Sequence, residues 1–398
     1  MGFLFNDKAF SFETLRALGQ TTYGGADPGE VIATARLIKA GDDDSWLRAW
    51  RATAERVHAL ADTSLAQGHR VSAHQAYLRA ANYYRTAEFF RRARPVGDEL
   101  VLALSRRSRE TFVRAMELGR FPFRQLEIPY ADTTLPGYLW LADHSGATRQ
   151  TVIFTNGFDS TAEESWFAIA AAALDRGYHV LAYDGPGQGA VIREQGLTFR
   201  PDWEAVLGPV TDYALARPEI AGVAHFGYSL GAYLVARTAA FDDRAAALIL
   251  DDGMHDFHQA YTSLMPGWLA RRVHAGHDRL PNWLIGLRAR VNTQARWGAD
   301  NGVWTFGGTS YADFLRRTTA YTLDGLTGRI RTPALVLDAE QDEFIKGQAR
   351  HLADVLPGAV EFVRLTTAEG AGEHCHVGAL RRTHQVIFDW LAETVPAG

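Results

Sequence analysis

Gly227-Tyr228-Ser229-Leu230-Gly231 stands directly after an apolar run, Val223 to Phe226, and directly before a helical stretch, Ala232 to Ala240. A sharp strand-to-helix turn holds a serine in a strained backbone conformation. Glycines two residues to either side leave room for the close backbone approach that such a turn requires. A serine that merely caps a helix is the simpler alternative, but its placement between strand and helix points to an exposed nucleophile at a strand end.

Outward from this turn, short apolar runs alternate with helical segments. Arg124 to Pro129 and Leu135 to Leu141 read as an opening antiparallel pair. Gln150 to Thr155, Tyr178 to Tyr183, Val223 to Phe226 and Ala246 to Leu250 follow, and Ala334 to Leu337 and Val360 to Leu365 come later. Near-continuous apolar strands separated by helices predict a mostly parallel α/β sheet covered on both faces. Chemistry in such sheets sits beyond the carboxyl ends of the strands.

A serine hydroxyl is a weak nucleophile and needs a base, which in turn needs a group to orient it. For a strand-turn-helix serine the chain order is serine, acid, histidine. Asp342 lies on the loop just past Ala334 to Leu337 and is the expected acid. Asp338, nearer the strand, reads as structural, Glu340 as solvated, and Asp252, after the preceding strand, as the fallback. His374, in the small-residue loop Glu369 to His376 before the last helix, is the expected base, with His376 second. Cys375 reads as a packing residue. Two backbone N–H groups must face the developing oxyanion: Leu230, right after the serine, and Phe158, in Asn156-Gly157-Phe158-Asp159-Ser160 after an earlier strand. Asp184-Gly185-Pro186-Gly187-Gln188-Gly189 lacks the lysine and spacing of a phosphate loop and reads as a structural turn.

The 398-residue chain is long for one core, so two packing units are expected. Helical periodicity from Asp27 to about Gly119 marks residues 1–120 as a helical N-terminal domain, with segments near Pro28 to Lys39, Asp44 to Gln67, Ser72 to Phe90 and Asp98 to Leu118. The third carries Tyr77, Arg79, Asn82, Tyr83, Tyr84, Arg85, Phe89 and Phe90. That stripe is expected to pack on the main domain or another subunit, or to wall the site. Residues 121–398 form the α/β domain, interrupted at about 253–331 by an insertion holding Trp268, Trp283, Trp297 and Trp304. Buried aromatic rings there would make it a lid over the carboxyl edge.

A net charge of -5 offers no field for nucleic acid. Met1 to Phe12 lacks an uninterrupted signal-peptide segment, and no run of about 18 apolar residues suggests a membrane span. One cysteine and no zinc-ligand spacing favour a reducing, cytoplasmic setting without metal or cofactor.

The elbow formed by Gly227 to Gly231, together with Asn156 to Glu164, Asp184 to Gly189, Phe199-Arg200-Pro201-Asp202-Trp203-Glu204, Trp304-Thr305-Phe306-Gly307, Glu369 to Cys375 and the helical segment Ser72 to Phe90, resembles one branch of the α/β hydrolases. That branch contains 2,6-dihydroxypseudooxynicotine hydrolase, the yellowish-green heptaketide hydrolase and fermentation-respiration switch esterases. The likeness runs from about Tyr23 to the C-terminus. It implies a helical cap that helps close the site, a homodimer, and a triad of Ser229, Asp342 and His374. It also implies cleavage of a carbon–carbon bond beside a ketone, or of an ester, in a bulky aromatic or polyketide-type small molecule. A further carboxylate assists in some members, and Asp251, Asp252 and Asp256 are the candidates. Two other readings stay open. One is a lyase or cyclase using His374 without acylation. The other is a ligand-binding protein on the same fold, whose usual sign is a lost serine or histidine.

Overall fold

The computed structural model describes residues 4–263 and 265–398. Two compact units emerge, one of Met1–Arg120 with Asn282–Trp304, the other of Phe121–Pro281 with Thr305–Gly398.

The second unit is built on eight strands: β1 (Phe123–Tyr130), β2 (Thr133–Trp140), β3 (Arg149–Thr155), β4 (His179–Tyr183), β5 (Ile220–Tyr228), β6 (Ala245–Asp251), β7 (Ala334–Ala339) and β8 (Val360–Leu365). They lie in the order β1-β2-β4-β3-β5-β6-β7-β8. The β1/β2 and β2/β4 pairs are antiparallel, and every other pair is parallel. This is the α/β architecture expected from the apolar runs. β4 and β7 are buried at every position, as strands covered on both faces must be. β1 alternates between exposed and buried positions toward its end, as an antiparallel edge strand does. Helices Glu204–Leu215 and Leu230–Ala239 pack on β5, Gln348–Val355 on β7 and Leu380–Thr394 on β6.

The strand order locates the site. From β3 the chain runs outward to β4, then crosses back over β3 to β5 and continues the other way. Loops leaving β3 and β5 therefore part in opposite directions and open a crevice between them, the position where ligands bind open parallel sheets. Those loops carry Asn156 to Ser160 and Ser229.

The helical unit contains Lys8–Gly19, Pro28–Ala35, Asp43–Ala66, Arg70–Glu88 and Glu99–Leu118. The first of these lies before the region where helical periodicity was apparent. An aspartate caps the start of four of them: Asp7, Asp27, Asp42 and Asp98 each accept a backbone N–H of the first turn. Phe10 packs among Trp46 and Phe90, at ring separations of 4.8 and 4.6 Å. The aromatic stripe of Arg70–Glu88 is absorbed inside this unit. Tyr83 donates to Glu30, Tyr77 to Asp62, and Asn82 to the carbonyls of Ala17 and Gly25. These partners belong to the helical unit itself rather than to the main domain or another subunit as expected; periodicity gives the buried face of a helix and not its partner.

The insertion also differs from expectation, since residues 282–304 group with the helical unit rather than with the sheet. Trp297 stacks on Phe89 at 4.5 Å, and Arg92 lies over Trp304. Trp304 is buried and Trp297 half-buried, but Trp268 and Trp283 remain 46% and 63% exposed, so only one of the four rings shows the expected burial in full.

Candidate active site

Ser229 occupies the turn between β5 and Leu230–Ala239 with φ 58 and ψ -120. A non-glycine residue pays on the order of 1–3 kcal/mol for such backbone. Its N–H is held by the Asp251 carbonyl at 3.0 Å. The flanking glycines are required by contact rather than by φ: a Cβ on Gly227 would lie 2.3 Å from the Gly231 carbonyl oxygen, and one on Gly231 2.4 Å from that of Thr155. Six non-glycine residues have positive φ among the described residues, and Ser229, Asp252, Cys375 and His376 are four of them. Strain is thus concentrated where the β5, β6 and β8 loops meet.

His374 Nε2 lies 2.8 Å from Ser229 Oγ, and its Nδ1 lies 2.7 Å from Asp342 Oδ2. Asp342 Oδ1 accepts the N–H groups of Phe344 and Ile345 at 2.6 and 3.1 Å, which fixes the carboxylate. A second carboxylate reaches the same nitrogen, for Asp252 Oδ2 is 2.9 Å from His374 Nδ1 and also accepts the Cys375 N–H. Flanked by two acceptors, Nδ1 carries a proton, which leaves the Nε2 lone pair of the neutral ring facing the serine hydroxyl. Burial lowers the basicity of His374, but the charges of Asp342 and Asp252 outweigh it and hold the ring well above the ordinary histidine value. The neighbouring Cys375 thiol is pushed up by burial and stays neutral.

Behind this group lies a buried layer that the sequence reading treated as alternatives. His376 Nδ1 donates to the Ala371 carbonyl at 2.8 Å, and its Nε2 is 3.2 Å from Asp251 Oδ1 and 3.6 Å from Asp252 Oδ1. Donor atoms of Asp251, Asp252 and His376 lie within 4.8 Å of one another, as do those of Asp252, His374 and Cys375. In both groups a histidine already faces the carboxylates, so a proton can satisfy them. Asp256 is used elsewhere, capping Phe257–Thr262 by accepting the Gln259 N–H. Asp338 pairs with Arg364, and Glu340 accepts the Thr367 N–H.

The loop bearing Phe158 lies against the elbow. A Cβ on Gly157 would come within 2.6 Å of the Tyr228 carbonyl oxygen, 3.1 Å of Ser229 Cβ and 3.4 Å of the Leu230 nitrogen. Only glycine allows that approach. The Asp184 to Gly189 turn anchors this loop. Buried Asp184 accepts the amide of Asn156 and the N–H groups of Ala162 and Ala190, while Gln188 donates to the Asn156 carbonyl at 2.6 Å. A Cβ on Gly189 would fall on the Asp184 carboxylate itself. Burial, with the charge of Glu163, raises Asp184 to about 7. Its supporting role was visible in sequence only as a glycine-rich turn after a strand.

Residues 152–387 match the model of the alpha/beta hydrolase family. The chain belongs to that family. This hydrolase is 37% identical to hydrolase LUC6 of Fusarium sp, over 98% of its own length and 97% of the relative's. It is 38% identical to 20-hydroxy-prefusarin hydrolase FUS2 of Gibberella moniliformis, with the same coverage of both chains. Among solved structures it resembles 2,6-dihydroxy-pseudo-oxynicotine hydrolase, with a TM-score of 0.74, 21% identity and 95% of each chain covered. That likeness shows that the fold extends over nearly the whole chain, the helical N-terminal region included. The protein is a serine-type hydrolase of this family.

Proposed function

We propose that this hydrolase cleaves an ester, or a carbon–carbon bond beside a ketone, in a bulky aromatic or polyketide-type small molecule of secondary metabolism, through a Ser229 acyl-enzyme. The observation that carries the reading is the chain Ser229 Oγ, His374, Asp342, with links of 2.8 and 2.7 Å on a strained elbow. Ser229 Oγ attacks the carbonyl carbon as its proton passes to His374 Nε2. The N–H groups of Phe158 and Leu230 receive the oxyanion, an interaction that is strongest in the tetrahedral state. Collapse expels an alkoxide or, from a β-diketone, an enolate. His374 returns the proton to the leaving oxygen or carbon. Water, deprotonated by His374, then attacks the acyl-enzyme and releases the acid and Ser229.

The substrate class is supported by the relatives, one of which is named for hydrolysis of 20-hydroxy-prefusarin, and by the rings around Phe158. Phe257 and Phe306 lie 5.6 and 6.1 Å from it.

The test is Ser229→Ala. The variant is expected to keep its circular dichroism spectrum while losing both turnover and labelling by a fluorophosphonate. Full activity in the folded variant would end this reading. Trapping an acyl-enzyme by mass spectrometry separates hydrolysis from elimination or ring closure at the same site.

A further inference from the structure

We infer that His376 is a positioning residue for the reaction: a buried cation that balances Asp251 and Asp252 and thereby sets how readily the neighbouring His374 accepts a proton. The inference rests on the role proposed above for His374.

The argument begins with a tautomer. A carbonyl can only accept, so the 2.8 Å contact to Ala371 requires a proton on His376 Nδ1. Were the ring neutral, its Nε2 lone pair would face Asp251 Oδ1 at 3.2 Å and Asp252 Oδ1 at 3.6 Å in a site shut off from water. Lone pair against carboxylate in low dielectric is costly, and a second proton removes the conflict. Burial opposes that proton, but the charges of Asp252 and Asp251 outweigh it and push the ring up to about 9. The backbone is set for this contact at a cost, since Asp252, Cys375 and His376 have φ of 56, 50 and 54.

The consequence reaches His374 through Asp252, whose Oδ2 is 2.9 Å from His374 Nδ1 while Oδ1 faces His376. Asp342 already supplies one negative charge to that nitrogen. A second, uncompensated one would raise its basicity further still, so that the neutral ring would appear only at higher pH. The His376 cation offsets part of that rise. Asp251 links the layer to the nucleophile as well, because its carbonyl accepts the Ser229 N–H. The ionisable groups around His376 are Asp251 at the end of β6, Asp252 just after it, Asp338 in β7, Arg364 of β8 through its pair with Asp338, and His374 and Cys375 on its own loop.

The second-order rate of fluorophosphonate labelling as a function of pH reads the ionisation of His374 without knowledge of the substrate. In His376→Asn, which keeps an amide donor but no charge, the acid limb is expected to move up by about one pH unit. In Asp251→Asn, which leaves the His376 charge less balanced, it is expected to move down. A purely structural role would slow labelling in both variants without opposite displacements. Limbs that stay in place, or move together, would overturn the inference. Should either variant not fold, 15N NMR of histidine-labelled wild-type protein at pH 7 decides: His376 must have both ring nitrogens protonated, and a neutral ring sinks the proposal. Loss of labelling in wild type, by contrast, would refute the role of Ser229 and leave the NMR result to judge His376.

Discussion

Asp342 grips His374 with one oxygen and the backbone with the other: Oδ2 lies 2.7 Å from Nδ1, while Oδ1 takes the N–H groups of Phe344 and Ile345. Asp252 approaches the same nitrogen at 2.9 Å but shares its carboxylate with Cys375 and His376. The first carboxylate is aimed at the base, and the second is divided among three groups. That asymmetry separates two variants.

Asp342→Asn is expected to lower kcat by on the order of 10³ to 10⁴, because the amide can present its NH₂ to Nδ1 and favour the wrong tautomer. Asp252→Asn should cost much less, about tenfold. The measurement is kcat for both variants on one chromogenic aryl ester. A damaging Asp252→Asn beside a mild Asp342→Asn would transfer the orienting role to Asp252.

The fold was readable because its signal is local. All eight apolar runs became strands, with ends displaced by no more than three residues. The elbow, Asp342 and His374 were readable because their places in the strand order are fixed by topology. Asp252 and His376 were harder. Each reads in sequence as second choice for a role proposed for another residue, and nothing in sequence spacing says that the two will meet each other beside His374. The destination of residues 282–304 was also hidden, since an amphipathic helix records that one face is buried and not which body buries it.

Gly157→Ala should leave the fold intact and impair the reaction. The new methyl would press on the Tyr228 carbonyl at 2.6 Å and on Ser229 Cβ at 3.1 Å, pushing the Phe158 loop away from the elbow. Loss of one oxyanion donor costs about 10²- to 10³-fold in kcat. The effect should fall on kcat with KM nearly unchanged. A rise in KM alone would mean that this loop binds substrate without serving the oxyanion.

His384 should make the protein sensitive to acid. Burial lowers its ring to about 4, and its Nε2 donates to the Ala168 carbonyl at 2.6 Å. Between pH 6.5 and about 4 the unfolded chain binds this proton and the folded chain does not, so stability falls as pH falls through that window. The full effect is on the order of 3 kcal/mol. In urea titrations at pH 7 and pH 5, His384→Leu should start less stable, having lost a buried hydrogen bond, yet lose less on acidification than wild type. An equal loss in both proteins would assign the acid sensitivity to other groups.

Substrate size is expected to matter because the Phe158 loop is faced with rings. Phe158 meets Phe257 and Phe306, which stack on each other at 5.2 Å, and Phe306 continues to Phe314 and Tyr321 at 5.4 and 4.9 Å. Four of these five residues come from the insertion, whose sequence lies between β6 and β7. A carbonyl placed beneath the Phe158 N–H would therefore have its substituents near aromatic carbon. A bulky aryl group removes more apolar surface from water there than a methyl does, at about 25 cal/mol per Å². Part of that energy is available to orient the carbonyl toward Ser229. Aryl ketones and esters with bulky acyl groups should accordingly exceed the matching acetate esters in kcat/KM by at least about tenfold. Phe257→Ala should narrow the gap by weakening the bulky substrate and sparing the acetate. Equal kcat/KM for both classes in wild type would mean that the rings serve only to pack the insertion, and the proposed substrate class would fail with them.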